Sequence, residues 1–554
     1  MKKQVIDVLK EETSLSEKEI ENLIETPPSP ELGDYAFPCF VLAKQFGKSP
    51  NEIASELSIK ISSKHFEKIE VKGPYINFFI DKKALAESTL SRIKKEKEKY
   101  GSQKYKNKVM VEFSQTNTHK AFHIGHIRGT SLGESISRIL EFSGNKVIRA
   151  NYQGDTGMHV AKWIWNYKKN YKKTKLSDDE SWIAGIYVDA VKRIEANPNL
   201  QEEVDEVNRE LESKKDKSLL SLWKRTRRLS LRAFDKIYKD FNTKFDRHFF
   251  ESQMESKGKK ISEELFRNKI AEISDGALIV DLNKYDLGIW VLLRKDGTVL
   301  YSAKDLALAR EKFEKNRIQK SIYIVGSAQN LYFKQLFKTL ELMKFKHTKD
   351  LQHVSVTEVR FPWGKMSSRT GENTLYSEFR KEIVEYTIQE IKKRHDIGKK
   401  EIEKRAEVIA LAALKYSMLK QDTNKGVIFD KKTALNFEGN TGPYLLYTYA
   451  RAKSILRKAK PKKFSIKEIN DSEKSLLLQI SQFPEAVIRT YSELSPSIIA
   501  NYSYQLSKCF NEFYHSHKVV GSENEAFRLA LVECFAQVLK NSLYLLGIST
   551  LEKM

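Results

Sequence analysis

Hydrophobic and polar positions along this chain follow two rhythms, and the change between them outlines its organisation. Near the start, apolar residues at helical spacing around Val5–Leu9 and Ile20–Ile24 predict two helices. PPSPELGDYAFP follows as a loop dense in turn residues. PNEIASELSIKI predicts a further helix with Pro50 near its first turn, where a missing N–H costs nothing. IEVKGPYINFFI then reads as strand, so residues 1–82 predict a small α/β module. Residues 83–107, dominated by lysine, predict an exposed helix running into a linker.

The rhythm changes at Lys108. KVMVEFSQ reads as a strand, NTHKAFHIGHIRG as a loop turning into a helix, and SLGESISRILEFSG carries helical spacing through Leu132, Ile136, Ile139 and Leu140 until Gly144 stops it. KVIRANYQ is the next strand, and this strand–loop–helix–strand unit predicts the opening of a parallel α/β sheet. Its first loop lies at the carboxyl end of a strand, where such sheets bind ligands. About 160–275 is highly charged and mostly helical, which predicts an insertion. Sheet-like patterning returns at GALIVDL, GTVLYSAKDLALA, SIYIVG and HVSVTEVRF, so 108–395 is read as one α/β domain. Beyond it, amphipathic stretches such as AEVIALAALKYSMLK predict an all-helical domain over 396–554.

A length of 554 residues suits three or four domains, and 40% hydrophobic with 31% charged residues suits a well-cored protein. Lys+Arg of 97 against Asp+Glu of 73 gives +24, a positive field suited to a polyanion, although a lysine-rich surface alone would give the same surplus. Cys39, Cys509 and Cys534 form no C-x-x-C pair, which points to a reducing compartment and away from a cysteine zinc site. Charges interrupt MKKQVIDVLKEE as a signal peptide, and no apolar run approaches membrane-spanning length. The expectation is a cytoplasmic protein with no membrane partner.

The candidate chemistry lies in two loops. His119, His123 and His126 would share a helical face at i, i+4 and i+7, which suggests a metal, but they span a loop-to-helix transition that breaks that geometry. Read alone, GKMSSRTGE (364–372) is an ordinary basic turn. H-I-G-H after the first strand and KMSSR after a late one, in that order, resemble the two signatures of class I aminoacyl-tRNA synthetases. That resemblance implies ATP between the loops, and the residues suit it. Gly125 allows close backbone approach, and a helix N-terminus offers N–H groups to phosphate. His123 and His126 can donate to phosphate oxygens, and Lys365 supplies a mobile cation for the leaving pyrophosphate. Met366, Ser367 and Ser368 belong to the same closing loop.

The likeness to the arginyl-tRNA synthetase family runs nearly end to end. It is carried by ELGDYAFPCFVLAKQFGKSPNEIA, VEFSQTNTHKAFHIGHIRG, VIRANYQGDTG, LYSAKDLALA, YIVGSAQNLYFKQLF and FEGNTGPYLLYTYARAKSILRK. It implies a Rossmann-like parallel-sheet catalytic domain, the N-terminal domain as an additional tRNA-contacting module, and the helical C-terminal domain as the anticodon-binding one. Implied too are guanidinium contacts from Glu112, Tyr301 and Asp305, and contacts to the amino and carboxylate ends of arginine from Asn117 and Gln329. The substrates would be L-arginine, ATP with Mg2+ and tRNA(Arg), on a monomer without zinc. Departures are Gln115-Thr116 where many members have proline before the asparagine, and Ala303-Lys304 before Asp305 where Thr-Arg is usual. Without the resemblance, Glu112 reads as a paired strand residue and Asp305 as a helix-start acid. Phe510, Phe513 and Tyr514, at helical spacing, read as core, and none is assigned to RNA. A synthetase for another amino acid and a non-catalytic basic RNA-binding descendant stay open here.

Overall fold

The computed structural model of the chain describes residues 2–25, 27–61, 65–362, 375–393, 396–460, 466 and 468–554. In the N-terminal module, β1 (Tyr35–Pro38), β2 (Phe66–Lys72) and β3 (Tyr75–Ile80) make an antiparallel sheet in the order β1-β3-β2. IEVKGPYINFFI is therefore a hairpin, turned at Gly73–Pro74 with Gly73 at φ 61°. Helix Pro50–Lys60, opened by Pro50 and a reciprocal Ser49/Glu52 cap, packs on the sheet, and helix Lys2–Glu12 packs on helix Glu17–Leu23. Asp34 of this module accepts from Ile80 N (2.8 Å) and pairs with Lys474 of the C-terminal helices at 2.8 Å.

The α/β domain is built on β4 (Lys108–Glu112), β5 (Lys146–Gln153), β6 (Arg247–Phe250), β10 (Lys320–Gly326) and β11 (Leu351–Val356), which pair in parallel in the order β11-β10-β4-β5-β6. Three further strands, β7 (Glu272–Ser274), β8 (Ala277–Asp281) and β9 (Ile289–Leu293), form a separate antiparallel sheet. The apolar run of β4 is buried on both faces, as a central parallel strand requires. Helix Ile124–Phe142 packs so closely on the sheet that a Cβ on Gly133 would lie 2.1 Å from the Phe113 ring. Only glycine fits that crossing.

Several expectations change. Helices Met158–Asn166, Glu180–Ala196, Leu200–Ser213 and Lys217–Asp240 share their own core around Trp163, Ile186 and Val204, whereas helix Glu251–Arg267, in the same helical stretch, packs with the sheet domain. Arg247–Phe250 returns to the parallel sheet as an edge strand, where its short polar pattern hid it. GALIVDL supplies β8 of the antiparallel sheet, and GTVLYSAKDLALA is mostly helix, Tyr301–Asn316. Helix Lys82–Glu96 is not simply exposed: Leu85, Leu90 and Ile93 are buried against the C-terminal helices, and Asn541 Nδ2 donates to Lys97 O at 3.0 Å. Its lysines mask an amphipathic face. The C-terminal region is helical except for Val427–Ile428, which pairs with Val359–Arg360. No helix among the described residues is long and apolar enough to cross a membrane.

Candidate active site

Reading outward from the middle of the parallel sheet, the chain runs β4-β5-β6 one way and β10-β11 the other. The connections leaving β4 and β10 therefore diverge, and a crevice opens at their carboxyl ends. Glu112 closes β4 opposite Tyr323 of β10. Behind it the loop is braced by Asn151, whose Nδ2 donates to Phe113 O (2.9 Å) and Ser114 O (2.6 Å), with Ser114 left-handed at φ 58°. Asn117 lies against the loop after β5, where a Cβ on Gly154 would meet its Oδ1 at 2.2 Å.

The three histidines part company. His119 is fully buried, its ring nitrogens 2.9 Å from Thr118 Oγ1 and 2.8 Å from Thr226 Oγ1, while its N–H donates to Ser230 Oγ at 3.0 Å. It pins the helical insertion to the loop, and burial lowers its pKa to about 3. His123 is the N-cap of helix Ile124–Phe142: its Nδ1 accepts from Gly125 N at 3.2 Å, and its own N–H donates to His126 Nδ1 at 3.1 Å. With each Nδ1 used as an acceptor, each neutral ring carries its proton on Nε2. Burial and then Lys120 hold His123 down at about 4, and burial, His123 and Lys120 hold His126 well below the ordinary range. Two neutral Nε2–H donors thus stand at a helix N-terminus.

Deeper in the crevice lies a pocket of the opposite character. Asp305, one turn into helix Tyr301–Asn316, accepts a hydrogen bond from Tyr332 OH at 2.6 Å through Oδ2. Its Oδ1 is buried with no hydrogen-bond partner among the described residues. Burial first, then the neighbouring Glu112 and Glu251, push the Asp305 carboxyl up to about 7, against the pull of Tyr332 and Lys312. Tyr301 is 55% exposed at the rim, its ring 5.2 Å from that of Tyr332. Gln329 is exposed at the end of the connection after β10, on the other wall. Buried carboxylates crowded about one point, one oxygen unpaired, want a cation with several donors.

Residues 1–80 match the arginyl tRNA synthetase N terminal domain, 89–431 the tRNA synthetases class I (R) catalytic domain, and 445–554 the DALR anticodon binding domain. The chain is 39% identical to the arginine–tRNA ligase of Clostridium perfringens over 567 residues and 38% identical to that of Clostridium kluyveri over 566, covering 100% of each chain. The chain belongs to the arginyl-tRNA synthetase family. Among solved structures, the arginyl-tRNA synthetase of Thermus thermophilus superposes with a TM-score of 0.82 at 26% identity over 96% of both chains. The crevice at the carboxyl ends of β4 and β10 thus lies within a class I synthetase catalytic domain.

Lys365, Met366, Ser367 and Ser368 of the second loop lie outside the described residues. The chain on its near side is tied to the histidine helix by Arg128. Its Nη1 donates to Thr357 O (2.6 Å) and its Nη2 to Asp422 O (3.0 Å) and Lys425 O (2.8 Å). No group of three or more His, Cys, Asp or Glu among the described residues could hold a metal ion. Sequence reading missed Glu251, Tyr332 and Lys312. Tyr332 stood in a quoted motif, and Lys312 lies two helical turns beyond Asp305, a spacing that keeps both on one face. In the C-terminal domain, Phe510 and Phe513 are core. Tyr514 instead faces Arg451, whose guanidinium sits 4.7 Å from the Tyr447 ring and 4.9 Å from that of Tyr514. This pair borders a cavity of about 700 Å³ lined by Tyr444, Asn511, His515 and Met554.

Proposed function

We propose that this arginine–tRNA ligase binds the guanidinium of L-arginine at the unpaired Oδ1 of Asp305. Glu112 adds charge and Tyr301 covers the rim, while Asn117 and Gln329 hold the amino and carboxylate ends. A planar, permanent cation with five donors is the ligand that such an oxygen, surrounded by acids, selects. The buried Asp305 carboxyl, crowded by Glu112 and Glu251 and with one oxygen outside any well-formed hydrogen bond among the described residues, carries the reading. ATP, entering with Mg2+ as its complex, lies across the helix start, where the Nε2–H donors of His123 and His126 and the backbone at Gly125 meet its phosphates. The arginine carboxylate attacks the α-phosphorus, pyrophosphate leaves, and Lys365, with Met366, Ser367 and Ser368 in its loop, offsets the charge that builds up. A ribose hydroxyl of the terminal tRNA adenosine then attacks the activated carbonyl, the acyl–phosphate bond breaks, and AMP leaves as the ester forms. No side-chain nucleophile is required, because positioning and charge stabilisation supply the rate.

The cavity between Tyr447, Arg451 and Asn511 has the flat faces and donors that an unstacked tRNA base needs. Three unpaired cysteines among the described residues support the cytoplasm. The test is aminoacylation of tRNA with each of the twenty amino acids. Arginine alone should be charged. Charging of another amino acid instead would overturn the pocket assignment, and tight tRNA binding without any charging would leave an RNA-binding protein.

A further inference from the structure

Helix Tyr301–Asn316 carries a second charged group into the sheet below Asp305. Lys312 is fully buried, and its Nζ lies 2.6 Å from Glu112 Oε2 and 4.0 Å from the Tyr323 ring centroid. A lone buried ammonium is costly, and its charge survives here because Glu112, then Tyr323 and Asp305, outweigh the burial. The surroundings are otherwise acidic or neutral. Asp305 comes from the same helix, Glu251 from the helix after β6, and Tyr152, Tyr323 and Tyr332 from β5, β10 and the helix after β10. The other nearby cation, Lys304, leans 3.5 Å from Glu251 and not on Glu112.

We propose that Lys312 is a positioning residue for amino-acid recognition: its ammonium, 2.6 Å from Glu112, fixes that carboxylate in the orientation in which the pocket meets the guanidinium. This rests on the arginine pocket described above. Lys312 touches the substrate nowhere in this scheme, since Glu112 and the Tyr323 ring stand against its ammonium. Removing its charge leaves Glu112 buried without a partner, and such a carboxyl takes up a proton. Asp305 loses a cation as well, so both acids ionise only at higher pH. The arginine KM should then rise at neutral pH and recover as pH increases, while the ATP KM, set at the histidine corner, stays put.

The experiment measures aminoacylation of tRNA by the full chain between pH 6.5 and 9, at varied arginine and then varied ATP. Lys312→Met should raise the arginine KM at pH 7 by about tenfold or more, leave the ATP KM within about twofold, and move the pH midpoint of the arginine KM upward. Lys312→Arg, which keeps the charge, should restore the wild-type profile. Equal arginine KM and midpoint in Lys312→Met and wild type would overturn the proposal, as would a parallel loss for ATP. Should Lys312→Met not fold, Glu112→Gln/Lys312→Met removes both charges, and its arginine KM must then match that of Glu112→Gln alone. A further rise would overturn the role through Glu112. If the wild type does not charge arginine at all, the pocket assignment itself fails instead.

Discussion

Arginine affinity should fall steeply on the acid side of neutrality, and Asp305 sets where. In the free protein its carboxyl titrates at about 7. Only the ionised form offers the guanidinium a full charge and two acceptor oxygens, so the apparent Kd scales as 1 + 10^(pKa − pH). That factor is about 1.1 at pH 8 and about 11 at pH 6, a tenfold weakening over two units in which the arginine side chain keeps its charge. The sign follows from burial. A carboxyl raised by its surroundings binds a cation less well as pH drops through its titration, and at pH 7 arginine binding expels about half a proton. The histidines do not share this interval, since His123 and His159 titrate near 4 and His126 lies well below its ordinary range. Titration calorimetry of arginine at pH 6, 7 and 8 in two buffers of different ionisation enthalpy reads both affinity and proton release. Tyr332→Phe removes the 2.6 Å donor that favours the ionised carboxyl. It should push the midpoint upward and weaken arginine at pH 7 by a further factor of about ten. An affinity flat within about twofold from pH 6 to 8, or a midpoint that Tyr332→Phe leaves in place or lowers, would refute the argument from the crowded acids.

Lys365→Ala should slow adenylate formation by about two orders of magnitude with arginine affinity unchanged, because its charge is needed only as pyrophosphate departs; single-turnover pyrophosphate release checks this, and a shift in arginine Kd would misplace the residue. Arg128→Met leaves the Thr357, Asp422 and Lys425 carbonyls short of their buried donor and should destabilise the chain by about 3 kcal/mol. Thermal denaturation reads it, and an unchanged melting temperature would mean that water replaces the guanidinium without loss.

The α/β nature of the middle of the chain was legible because β4 and β10 are continuous apolar runs with turn signals at their ends. The edge strand β6 was not, since RHFF at the rim of a sheet needs no apolar pattern and sits between two charged helices. Helix Tyr301–Asn316 was misread as sheet-like because its first buried residues stand beside β-formers in GTVLY, while the acids and lysines that make it helical come later. In the site, Glu112, Asn117 and Asp305 were found through motifs, and their convergence needed the switch in strand order. Lys312 and Glu251 carry no motif: a lysine seven residues beyond Asp305 and a glutamate at the start of another helix look like solvated charges until packing buries one and brings the other close.

Most helices that begin with a reciprocal cap use Ser or Thr at the first position and Glu or Gln three residues on. In H-I-G-H two imidazoles occupy those same two places, each spending one nitrogen on the backbone and keeping the other. The spacing of the pair is thus a rule of helix initiation before it is a rule of phosphate chemistry, which is why one inserted residue would cost the turn as well as the donors. The two rings are also not separable by truncation. Each alanine loosens the N–H groups that the other histidine helps to aim, so their losses overlap instead of multiplying. Asparagine at 123 is the cleaner probe, because it can close the turn as serine does while offering nothing at the far nitrogen's place.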